Sequence, residues 1–238
     1  MADAPKIVFD NYDCTITDVK MPVPNLYVFK CQLPPGKQIN FIAGQYVSWM
    51  VPNVGPAPFS IASSPADTTA LELSIELTGG PHTSVIKQAK VGDHCVLRGP
   101  FGNFVIGTGE KRIAFLAGGV GITPFMSMLR WIRDTKQDIK ATLFWSCRTI
   151  AEFTWIDEIE AMQRECPNIR VVFTVTREDP PGWQHYKGRI NEAMIRGKLP
   201  DSDETVFYSC GPPALIDAMF AILKTMGVPD ERLKKEKW

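Results

Sequence analysis

Arg112-Ile113-Ala114-Phe115-Leu116-Ala117-Gly118-Gly119-Val120-Gly121-Ile122-Thr123-Pro124 runs from an apolar segment through three glycines into a Thr-Pro pair. The apolar segment predicts a buried strand, and the spacing of Phe125, Met128, Leu129 and Ile132 predicts a helix over 124–135. Thr123 suits the N-cap of that helix and Pro124 its first turn. Glycines at the bend let backbone approach a ligand, and the amides at a helix start favour a phosphate or pyrophosphate. Taken alone, the run suits a tight strand-to-helix turn equally well, and it is not a GxGxxG fingerprint.

Outward from this turn, toward the C-terminus, strands near 112–117, 141–146, 170–176 and 205–209 alternate with helices near 124–135, 152–164, 190–196 and 212–226. That rhythm predicts an α/β domain over 107–238, built on a parallel sheet covered on both faces, with ligands beyond the carboxyl ends of its strands. Cys210-Gly211-Pro212-Pro213 supplies a second glycine break after the strand at 205–209, and both breaks are expected to face one crevice.

Upstream the rhythm differs. Short β-type runs at Asp13–Val19, Leu26–Leu33, Gln45–Val51, Pro58–Ala62, Leu71–Leu77 and Cys95–Leu97 are divided by turns such as Pro34-Pro35-Gly36 and Gly79-Gly80. They predict a small antiparallel β-barrel over 1–106, with one helix near 82–89. The expected fold class is therefore two-domain.

Composition narrows the function. Lys+Arg and Asp+Glu are equal at 26 each in 238 residues, which argues against a nucleic-acid or anionic-membrane partner. With no apolar run of transmembrane length and no basic and apolar leader, the expected location is the cytoplasm, without membrane insertion. Cysteines at 14, 31, 95, 147, 166 and 210 lack clustered ligand spacing, so no metal site is expected, and only Cys210 is read functionally.

Two loop regions of the barrel half carry chemistry. Ala57-Pro58-Phe59-Ser60-Ile61-Ala62-Ser63-Ser64 sets an aromatic, suited to covering a flat ring, beside a hydroxyl that can donate to a ring nitrogen. Phe59 in the core and Ser60 on the surface is the plainer alternative. Gly79-Gly80-Pro81-His82-Thr83 leads into the short helix and offers amides and a hydroxyl to a diphosphate, or simply a turn and cap. With Gly99-Pro100-Phe101-Gly102, the Ala117–Pro124 run and Cys210–Pro213, these segments in this order resemble the ferredoxin–NADP reductase superfamily over nearly the whole chain.

The resemblance implies an FAD-binding barrel and an NAD(P)-binding α/β domain. Pro58, Phe59, Ser60, Ile61 and Ala62 would line the flavin, with Ser60 near its N5. Gly80, His82 and Thr83 would hold the FAD diphosphate. Gly118, Gly119, Gly121, Thr123 and Pro124 would line the nicotinamide nucleotide, and Cys210, Gly211 and Pro212 its reactive ring. Trp238 resembles a terminal aromatic that stacks on flavin, in a tail returning to it, so Ser60, Cys210 and Trp238 form the implied catalytic set. Arg148, Arg177 and Arg189 stand where relatives bind a 2′-phosphate, favouring NADPH over NADH.

One departure is Ala57, where many members have an arginine for the FAD diphosphate; the missing contact would cost roughly 1.5–3 kcal/mol. Alanine there is similar to the hydrogenase-gamma and sulfite-reductase-type electron-transfer subunits, which continue into a cysteine-rich iron–sulfur segment, whereas this sequence stops at Trp238. The implied function is an FAD-dependent NAD(P)H oxidoreductase. It exchanges single electrons with ferredoxin, flavodoxin or a partner redox subunit, which the basic cluster Arg232, Lys234, Lys235 and Lys237 would attract if it is not merely a solvated helix end. The alternatives are a free-flavin reductase and a non-catalytic nucleotide-binding subunit of a larger redox complex.

Overall fold

A computed structural model describes residues 9–179, 181–199 and 202–236. Two compact units emerge: one holds the chain up to Ile106 together with Thr123–Asp134, the other Gly107–Ile122 and the chain from Thr135.

The first unit is a six-stranded antiparallel sheet of β1 (Asp10–Val23), β2 (Leu26–Gln32), β3 (Tyr46–Val51), β4 (Gly55–Ser60), β5 (Ala70–Glu76) and β6 (His94–Phe101). Their order is β4-β3-β6-β1-β2-β5. The sheet curls until its two edge strands meet through a bridge between Ile61 and Leu73, which removes the exposed edges a flat sheet would present. Period-two alternation fills the interior: Tyr12, Cys14 and Ile16 from β1, and Val47, Trp49 and Val51 from β3, are buried, and Trp49 meets Phe29 edge-on at 5.3 Å. Strands β1 and β6 extend well beyond the predicted runs, and β4 starts three residues before Pro58. Asp10 and Asn11 of β1 pair with Gly99 and Arg98 of β6, so the ladder carries pairing past the segments whose composition reads as strand. Helix α1 spans Pro81–Ile86.

Helix α2 (Thr123–Asp134) packs on this sheet. Gly44 lies so close beneath it that an added Cβ would stand 2.4 Å from the Met128 methyl and 2.1 Å from the Phe104 carbonyl oxygen. The Ser127 hydroxyl donates to the Ser63 carbonyl at 2.7 Å. Arg130 donates to the Ala62 carbonyl at 2.9 Å and to the Glu72 carboxylate at 2.8 Å, with only 11% and 23% of the two side chains exposed. The segment leaving β4 is thereby fastened by two polar contacts, and β5 by the ion pair.

The second unit is a parallel sheet in the order β10-β9-β8-β7-β11-β12. Its strands are β7 (Arg112–Gly118), β8 (Lys140–Cys147), β9 (Ile169–Val175), β10 (Tyr186–Lys187), β11 (Val206–Cys210) and β12 (Leu233–Glu236). Residues 113–118 of β7 are all buried, as expected for a strand covered on both faces. One face carries Ala114, Leu116, Phe144, Val172 and Phe207 against α4 (Glu192–Lys198) and α5 (Pro213–Thr225). On the other, Trp145 and Phe173 pack with Phe153 ahead of α3 (Ile156–Glu165). The short β10 and the edge strand β12 have no counterpart in the predicted elements.

Removing one member of a buried ion pair leaves the other charged and unpaired, at a cost of about 3–5 kcal/mol. Arg130→Met is therefore expected to destabilise the protein by about that amount in chemical denaturation, with Arg130→Met/Glu72→Leu recovering much of it. Single and double variants of equal stability would show that the pair contributes nothing.

Candidate functional site

The glycine turn owes its shape to a neighbour on the adjacent strand. Strands β7 and β11 pair in parallel with Ala117 opposite Cys210, so the segments leaving both strands emerge side by side. An added Cβ at Gly121 would stand 2.2 Å from the Cys210 carbonyl oxygen; at Gly118 it would stand 2.7 Å from Leu215 Cδ1 and 3.0 Å from Pro212 Cδ. Gly211, at φ +147°, would place one 3.0 Å from the Gly118 amide nitrogen. Gly121 and Gly211 are required by close packing of backbone on backbone, and Gly118 by the Leu215 and Pro212 side chains packed over it. Gly119 differs: its φ is +53° and nothing lies within 4 Å of where its Cβ would be, so open space sits over a backbone held in the left-handed region. This is a cradle in which a phosphate-bearing ligand fits.

A single 3₁₀ turn, Gly119–Ile122, runs directly into α2, whose first residue is Thr123. Thr123 is fully buried and lies within the helical run instead of preceding it as a free-standing cap. The chain winds from Gly119 without an extended residue, which the Thr-Pro signal suggested at 123. Pro124 is buried as well.

Trp145 is a supporting residue that sequence reading missed. It is fully buried in β8, meets Phe153 edge-on at 4.9 Å, and its indole N–H donates to the Gly119 carbonyl at 3.0 Å. In sequence it reads only as one more apolar residue of a buried strand.

At Cys210 the structure adds a carboxylate. Strand β12 pairs with β11 so that Glu236 lies opposite Cys210. Burial and then the Glu236 charge push the Cys210 thiol well above its ordinary value, so it stays protonated and able to donate. Leu233-Lys234-Lys235-Glu236 has no strand signature, which hid this pairing. The basic cluster is largely spoken for: Lys234 contacts Tyr208 at 2.9 Å and Glu110, Lys235 lies 5.1 Å from the centre of the Phe220 ring, and Arg232 donates to the Thr205 carbonyl. Neither a solvated helix end nor a free basic patch describes it; Leu233–Glu236 is an edge strand. Lys237 and Trp238 lie outside the described residues.

The three arginines gather at the carboxyl edge of β8, β9 and β10. The Arg177 amide donates to the Arg148 carbonyl at 2.9 Å, and Gly188, just before Arg189, donates to the Val175 carbonyl at 2.7 Å. Two acids come with them. Glu152 pairs with the Arg148 guanidinium at 3.3 Å, and Glu178 accepts from the Ile150 amide at 2.7 Å. Arg177 and Arg189 are exposed and form no ion pair among the described residues.

On the first unit, Ser60 ends β4 with 7% exposure, and its hydroxyl has no hydrogen-bond partner among the described residues. This suits a donor to a bound ring nitrogen. Phe59 is half-buried and packs against the barrel core, Ile61 and Ala62 are fully buried, and Pro58 is exposed. Ala57 sits in the core opposite Trp49. Gly80 precedes α1, His82 and Thr83 lie within its first turn, and the Thr83 hydroxyl donates to the Gly80 carbonyl at 3.2 Å. Amides of a first helical turn have no acceptor within the helix, so those of His82 and Thr83 suit a diphosphate.

Residues 13–106 match the oxidoreductase FAD-binding domain family and residues 115–220 the oxidoreductase NAD-binding domain family. The chain belongs to the ferredoxin–NADP reductase superfamily. Like other members, it has an antiparallel flavin-type sheet and a parallel nucleotide-type sheet. It is 34% identical over 191 residues to the reductase component of phenol 2-monooxygenase from Pseudomonas sp. strain CF600, covering 77% of this chain and 53% of that protein. It is 29% identical over 214 residues to the gamma subunit of sulfhydrogenase 1 from Pyrococcus furiosus, covering 87% and 72%. The chain spans between half and two thirds of the first curated relatives it matches, at 61%, 53% and 53% of their lengths. Among solved structures, the Amycolatopsis cytochrome P450 reductase GcoB superposes with a TM-score of 0.84 at 22% identity, over 100% of this chain and 73% of that one. A Neisseria gonorrhoeae ferredoxin NADP+ reductase with bound FAD and NADP superposes at 0.78 with 21% identity, over 97% and 99%. No helix among the described residues is long and apolar enough to cross a membrane.

Trp145→Phe keeps the ring but removes the N–H that holds the Gly119 carbonyl. We expect it to weaken nicotinamide-nucleotide binding about two- to tenfold while FAD affinity is unchanged, since a hydrogen bond of this kind contributes about 0.5–1.5 kcal/mol. Equal nucleotide affinity in the two proteins, measured by equilibrium titration, would refute this role.

Proposed function

We propose that this chain is an electron-splitting reductase that takes hydride from NADPH and delivers single electrons to an external protein carrier. The observation that carries the reading is the junction of Gly118–Gly121 with Cys210–Gly211, packed backbone to backbone with open space over Gly119. Bound FAD supplies the redox chemistry, accepting two electrons as hydride and releasing them one at a time.

The protein's own residues bind and orient. Ser60 offers its hydroxyl to the N5 side of the ring, with Pro58, Phe59, Ile61 and Ala62 forming the strand that carries it. Gly80, His82 and Thr83 hold the FAD diphosphate through the first-turn amides of α1. The Gly118–Gly121 turn, with Thr123 and Pro124 where the chain runs on into α2, receives the pyrophosphate of the nicotinamide nucleotide. Cys210, kept protonated, and Gly211 and Pro212 border the reactive ring, and Glu236 stands beside that thiol. Such positioning lowers the barrier by holding reacting groups in line.

Arg177 and Arg189 carry the preference for NADPH, because Arg148 is already engaged by Glu152. The carrier is ferredoxin, flavodoxin or a partner redox subunit. Support comes from relatives named as reductase components of phenol 2-monooxygenase and of terephthalate 1,2-dioxygenase, and from a relative that is one subunit of a Na(+)-translocating NADH-quinone reductase.

One observation favours a second reading. Ala57 is buried against Trp49, so no cation from that position reaches a flavin diphosphate, and weak retention would make flavin a substrate, as in a free-flavin reductase. Gel filtration after FAD loading separates the two: flavin that co-elutes and is reduced in place supports the resident cofactor, and flavin that washes away supports the alternative.

Anaerobic titration with NADPH and NADH in parallel tests the coenzyme. Arg177→Ala should raise the NADPH KM about tenfold or more, the equivalent of one charge-assisted contact, and leave NADH unchanged. An equal effect on both coenzymes would remove Arg177 from 2′-phosphate recognition, and faster reduction by NADH would overturn the preference.

A further inference from the structure

At the amino-terminal end of the parallel sheet, opposite the edge where the nucleotide is placed, a cavity of about 530 Å³ opens between the strand starts and the end of α4. Its wall includes Arg112, Lys140, Arg170 and Lys198 and, among the described residues, no carboxylate. We propose that this cavity is a second anion site, built for a compact polyanion carrying phosphate or pyrophosphate groups.

The register explains how the charges converge. Arg112 of β7 lies opposite Lys140 of β8, and Thr142 of β8 lies opposite Arg170 of β9. Residues in register, and residues two apart on a strand, share a face. Arg112, Lys140, Thr142 and Arg170 therefore stand on the face that farther along carries Ala114, Phe144 and Val172 beneath α4 and α5. The apolar core occupies most of that face, and at its foot the face turns cationic.

Helix length leaves the foot uncovered. α4 has seven residues, about 10 Å of helix, whereas the eight residues of β8 extend for about 26 Å. The helix ends with Lys198 and Leu199 at the cavity rim.

Like charges directly opposite one another on paired strands repel, and Arg112 and Lys140 stand in that relation. Glu204 stands 3.7 Å from Arg112 and is itself 80% exposed. Lys140, Arg170 and Lys198 form no ion pair among the described residues; Lys198 reaches only the face of the Tyr186 ring at 5.7 Å. A bound polyanion supplies counter-charge to Lys140, Arg170 and Lys198 at once. The volume falls within the range of small-molecule sites, and guanidinium groups fit phosphate oxygens two at a time. The proposal does not depend on the nucleotide reading of the opposite edge.

The test is calorimetric titration of the full chain, saturated beforehand with FAD and NADP+ so that the diphosphate sites proposed above are filled, with inorganic pyrophosphate in 0.1 M salt. One saturable event is expected, weakened at least tenfold in Lys140→Glu/Arg170→Glu and unchanged in Arg177→Ala, which lies at the other edge. Lys140, Arg170 and Lys198 are all exposed, so the fold should tolerate the changes; Lys198→Glu alone, expected to weaken binding severalfold, serves if the double variant does not fold. Absence of saturable binding at millimolar pyrophosphate overturns the proposal. So does binding that survives the lysine and arginine reversals, or binding lost in Arg177→Ala, which would place the anion at the carboxyl edge.

Discussion

The arrangement of the second unit hangs on one contact: the Cα of Gly121 against the carbonyl oxygen of Cys210. A methyl group at that place would stand 2.2 Å from the oxygen, well inside van der Waals contact, so the two strand ends can lie together only if residue 121 has no side chain. From this follow the parallel pairing of β7 with β11 as far as Ala117 and Cys210, and the emergence of both glycine breaks on one edge. The side of the turn turned away from Cys210 stays open at Gly119, which Trp145 holds by its carbonyl. A ligand cradle therefore arises where one glycine has been left uncovered while its neighbours are used up in packing.

Polar groups set the limits of this unit with equal economy. Tyr208 is fully buried on β11, yet its hydroxyl meets Glu110, Lys234 and the Gly107 amide. Burial and the hydrogen bond to Glu110 push that phenol far above its usual range, so it remains a donor. Glu110 precedes β7 and Lys234 belongs to β12, so the three side chains tie the entry to the sheet to its last edge strand. An unpaired hydroxyl in such a place would cost about 1–3 kcal/mol, and satisfying it with a charged pair turns that cost into a constraint on register.

Much of this was legible in the sequence because the two halves bury their strands differently. Barrel strands alternate, as Val47, Trp49 and Val51 do, and the parallel strands are apolar on both faces, as residues 113–118 are. The order of the glycine breaks was legible for the same reason: each follows a run too apolar to lie elsewhere than at the centre of a sheet. What escaped notice depends on pairing across long distances. Leu233–Glu236 is a strand because β11 offers it an edge, and its charges are characteristic of an edge strand, which charge protects from further pairing. Arg130 has the spacing of a solvated helix residue, and only the fold shows it against Glu72 and the Ala62 carbonyl. The division of labour among Gly118, Gly119, Gly121 and Gly211 was equally hidden, since four glycines look alike until their neighbours are known.

Equal numbers of acidic and basic residues conceal a polarity along the parallel sheet. The carboxyl edge combines exposed arginines with acids: Glu152 engages Arg148, and Glu178 caps the Ile150 amide. Any preference for an extra phosphate there has to overcome neighbouring negative charge, so it falls to arginines that lack such a partner. The foot of the α4 face has the reverse balance, with four cations around one cavity and, among the described residues, one ion pair there, from Arg112 to the exposed Glu204. Net charge averages these two environments to zero. Set apart by the length of β8, about 26 Å, against a Debye length of about 8 Å at physiological salt, the two environments act separately, so each edge presents its own local charge.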